Sequence, residues 1–395
     1  MNNWQELEHK YYMPTFKRVP VTLVKGQGAR VWDDNGREYL DFVAGWAVNS
    51  LGHCHPAVVA AVTEQIKTLI HTSNSYYTIP QLKLAELLVH KSCLNKVFFC
   101  NSGAEATEGA VKLARRYGHL HLDGAYEVIT TTGSFHGRTL AMVSASGQSK
   151  FQQPYIPLPS GFVNVEYNNI EAIEKAINNQ TCAVMLEPVQ GEGGVNLPDD
   201  NYLKIVQELC QKKGILLILD EIQTGIGRTG SLFAYEQYGA EPDIMTLAKG
   251  LASGIPIGAI LAKDRASVFA AGEHGSTFGG NPVACAAGYA TLKFIIDHGI
   301  TENANQMGQH LAAGLESLKQ KFKFITDVRG LGLLQAMEFG SDIAQSLMIA
   351  CLNSGLLVNK LKDNALRFMP PLIIGKDEVD EALGILDKAL SNINS

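Results

Sequence analysis

The chain has 395 residues and a net charge of −6, with 46% hydrophobic and 18% charged residues. This balance describes a well-buried globular protein of more than one domain, and excludes a disordered chain. There is no Lys/Arg block for nucleic acid, no basic amphipathic segment for a membrane surface, and no apolar run near the ~18 residues of a membrane span.

The polar, acidic residues 2–8 read as neither a signal nor a transit peptide. The first fifty residues are strand-like, and Asp34-Asn35-Gly36 forms a hairpin signal between residues 29–33 and 37–41. Gly26-Gln27-Gly28 is not followed by a helix and is set aside as a dinucleotide motif. Gly52-His53-Cys54-His55-Pro56 has the residue types of a metal cluster but reads as a turn into a helix over 56–69, so no metal is expected. The seven cysteines are scattered, with no C-x-x-C, which suggests reduced thiols and a cytoplasmic location.

From about residue 80 to 265 helices alternate with short apolar strands, predicted at 97–100, 127–131, 141–145, 162–165, 183–186, 215–219, 244–247 and 258–262. That alternation predicts an α/β fold with a mostly parallel sheet covered by helices. After residue 290 a long helix through 311–318 is followed by strand-like pieces at 324–328, 331–338, 356–359 and 366–369, then a closing helix. Residues 1–50 and 291–395 therefore read as one small α+β domain, and residues 51–290 as the large domain.

Two strand ends carry the chemistry. Residues 215–219 are five apolar residues closed by Asp220-Glu221, and residues 244–247 lead into Ala248-Lys249. Ligands of open α/β sheets sit outside the carboxyl ends of the strands. A lysine at a strand end is commonly only a surface charge. Lysine and aspartate together at such an edge suit pyridoxal 5'-phosphate (PLP): the lysine forms the Schiff base and the aspartate keeps the pyridine nitrogen protonated.

Other loops fall at the same edge. Asn101-Ser102-Gly103-Ala104-Glu105 opens a helix, with N–H groups suited to a phosphate and also the spacing of a capping box. Ser134-Phe135-His136-Gly137-Arg138 offers an aromatic face for a flat ring and an arginine for a carboxylate. Glu187 and Glu192 share a glycine-rich loop, and Gln223 could bind a ring oxygen. Ser276 and Thr277 lie in a small hydroxyl-bearing loop suited to phosphate, and Arg367 is a lone charge in an apolar strand that needs a partner or ligand.

These blocks, in this order, resemble the class III PLP-dependent aminotransferases of fold type I from Gly28 to Pro370-Pro371, and within them most closely the acetylornithine aminotransferase subgroup. Ornithine, succinylornithine and 4-aminobutyrate aminotransferases share most of the same motifs. The resemblance implies a seven-stranded large-domain sheet, and a homodimer with shared active sites. Lys249 would be the Schiff-base lysine and Asp220 the partner of the ring nitrogen. Gln223 would lie near the ring hydroxyl and Phe135 on the ring face, with His136 beside it. Ser102, Gly103 and Ala104 would hold the phosphate, and Thr277 the phosphate of the neighbouring subunit. Among substrate-binding positions, Arg138 would hold the distal carboxylate and Arg367 the α-carboxylate of glutamate, masked by Glu192 when an ω-amine is bound; Ser276 would contribute as well. Trp46 would narrow the entrance. Phe16 stands where many relatives carry a tyrosine, which argues against free ornithine.

The implied reaction is transfer of an ω-amino group to 2-oxoglutarate, with N-acetylornithine the expected donor in arginine biosynthesis. An aminomutase of the glutamate-1-semialdehyde type is the rival. It would not need a separate glutamate site, so Arg367 with Glu192 argues against it.

Overall fold

The computed structural model describes residues 3–393. Its start differs from the strand-like reading: Asn3–Tyr11 is a helix, with Glu6 in its first turn and His9 and Lys10 in its last, charges that complement the helix dipole. The hairpin follows as expected. Strands β1 (Leu23–Gln27), β2 (Arg30–Asp33) and β3 (Glu38–Asp41) pair antiparallel. Asp33 closes the turn by accepting the N–H groups of Asn35 and Arg37 at 3.0 and 2.9 Å. The Gly52–Pro56 stretch is a turn into the helix Pro56–Thr68, whose N-cap is His55.

The central sheet contains β4 (Lys96–Cys100), β5 (Glu127–Thr131), β6 (Phe162–Val165), β7 (Thr181–Leu186), β8 (Leu216–Asp220), β9 (Ile244–Leu247) and β10 (Gly258–Ala262), in the order β4-β10-β9-β8-β7-β5-β6. All run parallel except β10, which is antiparallel to both its neighbours. Every residue of β7 to β10 is buried. That is why these strands are continuous apolar runs rather than alternating ones.

One predicted strand is a helix. Residues 141–145 fall within the helix Leu140–Ala145, where Met142, Val143, Ser144 and Ala145 are all buried. A short run buried throughout has no period by which to tell the two states apart.

A second four-stranded sheet contains β11 (Ile325–Leu331) and β12 (Leu334–Phe339). Beyond the short β13 (Leu356–Leu357), it is completed by β14 (Asn359–Lys362) and β15 (Ala365–Phe368), in the order β11-β12-β15-β14. The predicted single strand at 356–359 is thus divided. β13 pairs parallel with β3 in the N-terminal sheet, and β14 crosses into the C-terminal sheet. The helices Ile300–Lys321 and Lys376–Ile393 pack against each other, and Arg30 meets Glu381 at 2.6 Å, so the two chain ends are joined. Among the described residues no helix is long and apolar enough to cross a membrane.

Candidate active site

Strands β8 and β9 are neighbours, in a register that places Asp220 opposite Thr246. Asp220 ends β8 and Lys249 follows β9, so the parallel sheet delivers an acid and an amine to one edge. Asp220 is 4% exposed. Its carboxylate is fully engaged: His136 donates from Nδ1 at 2.8 Å, the Thr246 hydroxyl at 3.1 Å, and the Ile222 N–H at 3.1 Å. Burial opposes protonation of His136. The hydrogen bond and charge of Asp220, with the charge of Glu187, outweigh it and raise the imidazole pKa. The His136 loop is itself held by Thr107, whose hydroxyl donates to the His136 carbonyl at 2.7 Å, and by Ser146, which accepts the His136 N–H at 2.9 Å.

Lys249 has a backbone φ of 34°, in the left-handed region that a residue with a Cβ adopts only under constraint. Burial lowers its pKa, and the Arg367 charge adds to that; Glu192, Asp220 and Glu187 pull it back. Above it a cavity of about 430 Å³ is lined by Ser102, Gly103, Ala104, Phe135, His136, Arg138, Glu187, Glu192, Asp220, Gln223 and Lys249, among others. The sheet therefore gathers the larger part of the residues singled out from sequence.

One wall is the start of the helix Gly103–His121. Ser102 is its N-cap and accepts the Glu105 N–H at 3.2 Å. The capping box is only half formed, because Glu105 reaches the N–H of Asn101 at 2.7 Å rather than that of Ser102. Gly103 and Ala104, the first residues of this helix, line the cavity, and the free N–H groups of a helix start favour an anion.

Arg367, 1% exposed on β15, does not itself line the cavity but lies directly behind two residues that do, Glu192 and Gln223. It donates to Glu192 at 2.7 Å, to the Gln223 side-chain carbonyl at 3.1 Å and to Asn359 at 3.1 Å. Burial works against ionisation of Glu192, but Arg367 first and Lys249 second bring its pKa below the ordinary carboxylate value. Gly191 opens the turn that carries Glu192; a Cβ there would lie 1.7 Å from the Gln223 oxygen, so only glycine lets turn and glutamine meet. Arg138 is exposed and forms no ion pair among the described residues. Its guanidinium lies 3.9 Å from the Phe151 ring centroid and 5.5 Å from that of Phe135.

Five predicted residues do not line this cavity: Arg367, one layer behind it, and four that lie farther off. Ser276 accepts from Asn101 at 3.0 Å but does not line it, and Thr277 is exposed on the same loop. Trp46 and Phe16, 6.4 Å apart between ring centroids, border a separate cavity of about 630 Å³. Trp46 sits in a left-handed turn: Ala44, Gly45, Trp46 and Ala47 have φ of 47°, 63°, 64° and 64°.

Sequence reasoning missed Thr246 and Asn359, and assigned no role to Glu187. Glu187 is 5% exposed and accepts the N–H groups of Phe135 and Gly191 at 2.9 and 3.1 Å. Burial, with the Asp220 charge, raises its pKa to about 7. The signal for Thr246 was a hydroxyl inside an otherwise apolar strand.

The donor set fits PLP. Gln223 Nε2 and His136 Nε2 are buried without a hydrogen-bond partner, and a ring with an acceptor oxygen would meet such a donor. Asp220 offers a fixed negative charge, Phe135 an aromatic face, and the helix start a seat for phosphate.

Comparison with known proteins agrees with this geometry. The family model for class-III aminotransferases matches residues 11–390. A protein named acetylornithine aminotransferase from Caldanaerobacter subterraneus subsp. tengcongensis is 52% identical over 387 residues, covering 98% of each chain. The structure superposes on the ornithine aminotransferase of Toxoplasma gondii ME49 with a TM-score of 0.95 and 36% identity, covering 99% of this chain and 95% of that one. It superposes on the acetylornithine aminotransferase of Elizabethkingia anophelis with a TM-score of 0.88 and 35% identity, covering 98% of each. A lysine–aspartate pair at adjacent strand ends, an empty-handed amide donor beside it, and a family match over nearly the whole length lead to one assignment: the chain belongs to the class-III aminotransferases, and is a PLP-dependent enzyme.

Proposed function

We propose that the protein transfers the ω-amino group of N-acetylornithine to 2-oxoglutarate, giving N-acetylglutamate semialdehyde and glutamate. The observation that carries this reading is the ion pair between buried Arg367 and half-buried Glu192, close enough to Lys249 for both charges to act on it. One site must accept a long amine and then a dicarboxylate. An arginine that an adjacent glutamate can cover or release serves both.

When bound, PLP supplies an aldehyde that exchanges with amines and a ring that takes up electrons. The chain's own residues do the rest. Lys249, its ammonium disfavoured by burial, takes the proton from the amine-bearing carbon. Asp220, held by three donors, would keep the ring nitrogen protonated with its fixed charge. Phe135 would offer its face to the ring, Gln223 would donate to its oxygen, and Ser102, Gly103 and Ala104 would hold the phosphate. Arg138, exposed and without an acid partner, takes the distal carboxylate; Arg367 takes the α-carboxylate of the keto acid once Glu192 releases it.

Thr277 serves the phosphate of a second copy, in a cytoplasmic homodimer. An exposed apolar surface supports this. Ile70, Tyr76, Tyr77, Ile79 and Phe278 are each at least 59% exposed, and Asn74 ties this region to the Ser276–Gly279 loop with two hydrogen bonds of 3.0 Å. The β3–β13 pairing supports a small domain made of residues 1–50 and 291–395 beside a large domain of 51–290. Trp46 and Phe16 form an apolar rim without the hydroxyl that a free α-ammonium would use, which favours an acylated donor.

Assay of N-acetylornithine, succinylornithine, ornithine and 4-aminobutyrate against 2-oxoglutarate tests the reading. The highest kcat/KM is expected with N-acetylornithine. A higher value with ornithine or 4-aminobutyrate would reassign the donor.

A further inference from the structure

Arg228 is the largest side chain buried without a matching charge. It is 2% exposed, and no acid pairs with it among the described residues. Its Nη1 donates to two backbone carbonyls, Leu333 at 3.0 Å and Pro370 at 2.5 Å, while Nε and Nη2 have no partner. The Arg228 carbonyl in turn accepts the Leu333 N–H at 3.0 Å. A buried charge without a counter-charge is costly, and an apolar side chain of similar shape would serve stability better. Its geometry must therefore matter.

That geometry is reciprocal. Arg228 lies on the loop that carries Gln223, and Pro370 follows Arg367 beyond the end of β15. At one end of this contact Arg367 reaches across to Gln223 at 3.1 Å. At the other, Arg228 reaches back to Pro370. The same fork also holds Leu333, at the entry to β12, and β12 pairs with β15 through Ala336 and Arg367. The loops approach so closely that a Cβ on Gly332 would lie 2.7 Å from the Arg228 carbonyl. Both carbonyls are held by the one nitrogen Nη1, and the planar guanidinium fixes the directions of its two N–H groups, which a freely rotating ammonium does not.

We propose that Arg228 is a positioning residue for the keto-acid half of the reaction, clamping the end of β15 so that the Arg367 guanidinium is presented at the place where it meets the substrate carboxylate. This rests on the reading of Arg367 given above. Asp220 takes its hydrogen bonds from His136, Thr246 and Ile222, none of them on β15, so the clamp is expected to bear on the keto-acid half first.

The test uses the PLP-loaded enzyme, with Arg228→Met, Arg228→Lys and Arg367→Lys examined in parallel. Single-turnover spectra separate the halves: amine donor alone, then 2-oxoglutarate alone. Misplacement of a binding group by about 1 Å costs up to ~100-fold. Both Arg228 variants are expected to weaken apparent 2-oxoglutarate binding by on the order of 10- to 100-fold, Met more than Lys, with the amine half changed by less than about threefold. Equal slowing of both halves, or no change in either, overturns the proposal. If Arg367→Lys alone cripples the keto-acid half, the clamp fails and the Arg367 reading stands; if all three leave that half intact, the Arg367 reading itself fails. If neither Arg228 variant folds while Arg367→Lys does, Arg228 holds the fold rather than the site, and the proposal is likewise overturned.

Discussion

The floor and the rim of the active site are built on opposite plans. At the floor Asp220 and Arg367 are 4% and 1% exposed, and each carries three hydrogen bonds from or to fixed neighbours. At the rim Arg138 rests on aromatic rings and pairs with no acid among the described residues, while Trp46 and Phe16, 48% and 54% exposed, border a separate cavity. The floor offers charge that cannot move away from the reaction; the rim offers surface that adapts to what enters. On the roles proposed above, Asp220 serves both halves of the reaction and Arg367 one of them, while Arg138 serves both and Trp46 and Phe16 bear on the choice among amines.

The comparison breaks most visibly at Lys249. Lys249→Ala is expected to retain PLP through the phosphate seat yet lose turnover entirely. In the unmodified enzyme borohydride is expected to fix the chromophore on Lys249, and peptide mapping that found it on another lysine would sink the assignment. Next in size is Asp220→Asn, expected to lower kcat by about three orders of magnitude or more, since preorganised charge is often the largest catalytic contribution. A variant with most of its activity would move the ring partner elsewhere.

The two arginines set floor against rim directly. Arg367→Ala leaves half-buried Glu192 without its partner and is expected to cripple the 2-oxoglutarate half while sparing the amine half. Arg138→Ala is expected to slow both halves, because both substrates place a carboxylate at the distal end. Equal damage to both halves by Arg367→Ala would end the maskable-arginine reading and reopen the aminomutase alternative.

Beneath the floor, burial raises the Glu221 pKa to about 7. Its folded pKa lies above the unfolded value near ~4.3, so the folded state holds the extra proton between these limits. Stability is thus fullest below about pH 4 and declines as pH rises through about 7, by up to about 3 kcal/mol. Denaturant unfolding at about pH 5 and about pH 8 reads this contribution. Glu221→Gln is expected to flatten the slope between the two; an unchanged slope removes Glu221 as its source. The smallest effect belongs to the rim: Phe16→Tyr is expected to improve ornithine relative to N-acetylornithine by less than about tenfold, on the order of 1 kcal/mol for one hydrogen bond. A fall in that ratio would detach Phe16 from donor choice.

What could be read from sequence was whatever a local pattern expresses. Asp220 and Lys249 close apolar runs, and a charge that ends a buried strand stands out. The helix at Leu140–Ala145 could not be told from a strand because all sides of its last residues are covered. Thr246, Asn359 and Arg228 act through partners distant in the chain, and nothing adjacent to them announces that. Ser276 and Thr277 stood out as hydroxyls in a small loop and took their roles from resemblance, and within one chain they do not line the cavity. Phe16 and Trp46 meet only because the N-terminal segment folds back over the turn at 44–47.

That turn has a consequence for how the enzyme can change. A left-handed bend made largely of residues with a Cβ is unfavourable by about 1–2 kcal/mol for each such residue, whatever its side chain beyond the Cβ. Position 46 already carries that burden with tryptophan, and glycine there would relieve it. Replacing the largest side chain at the rim with the smallest therefore meets no backbone penalty. On the role proposed for Trp46, donor preference can drift at this position across generations, or be steered in the laboratory, without the backbone resisting the change.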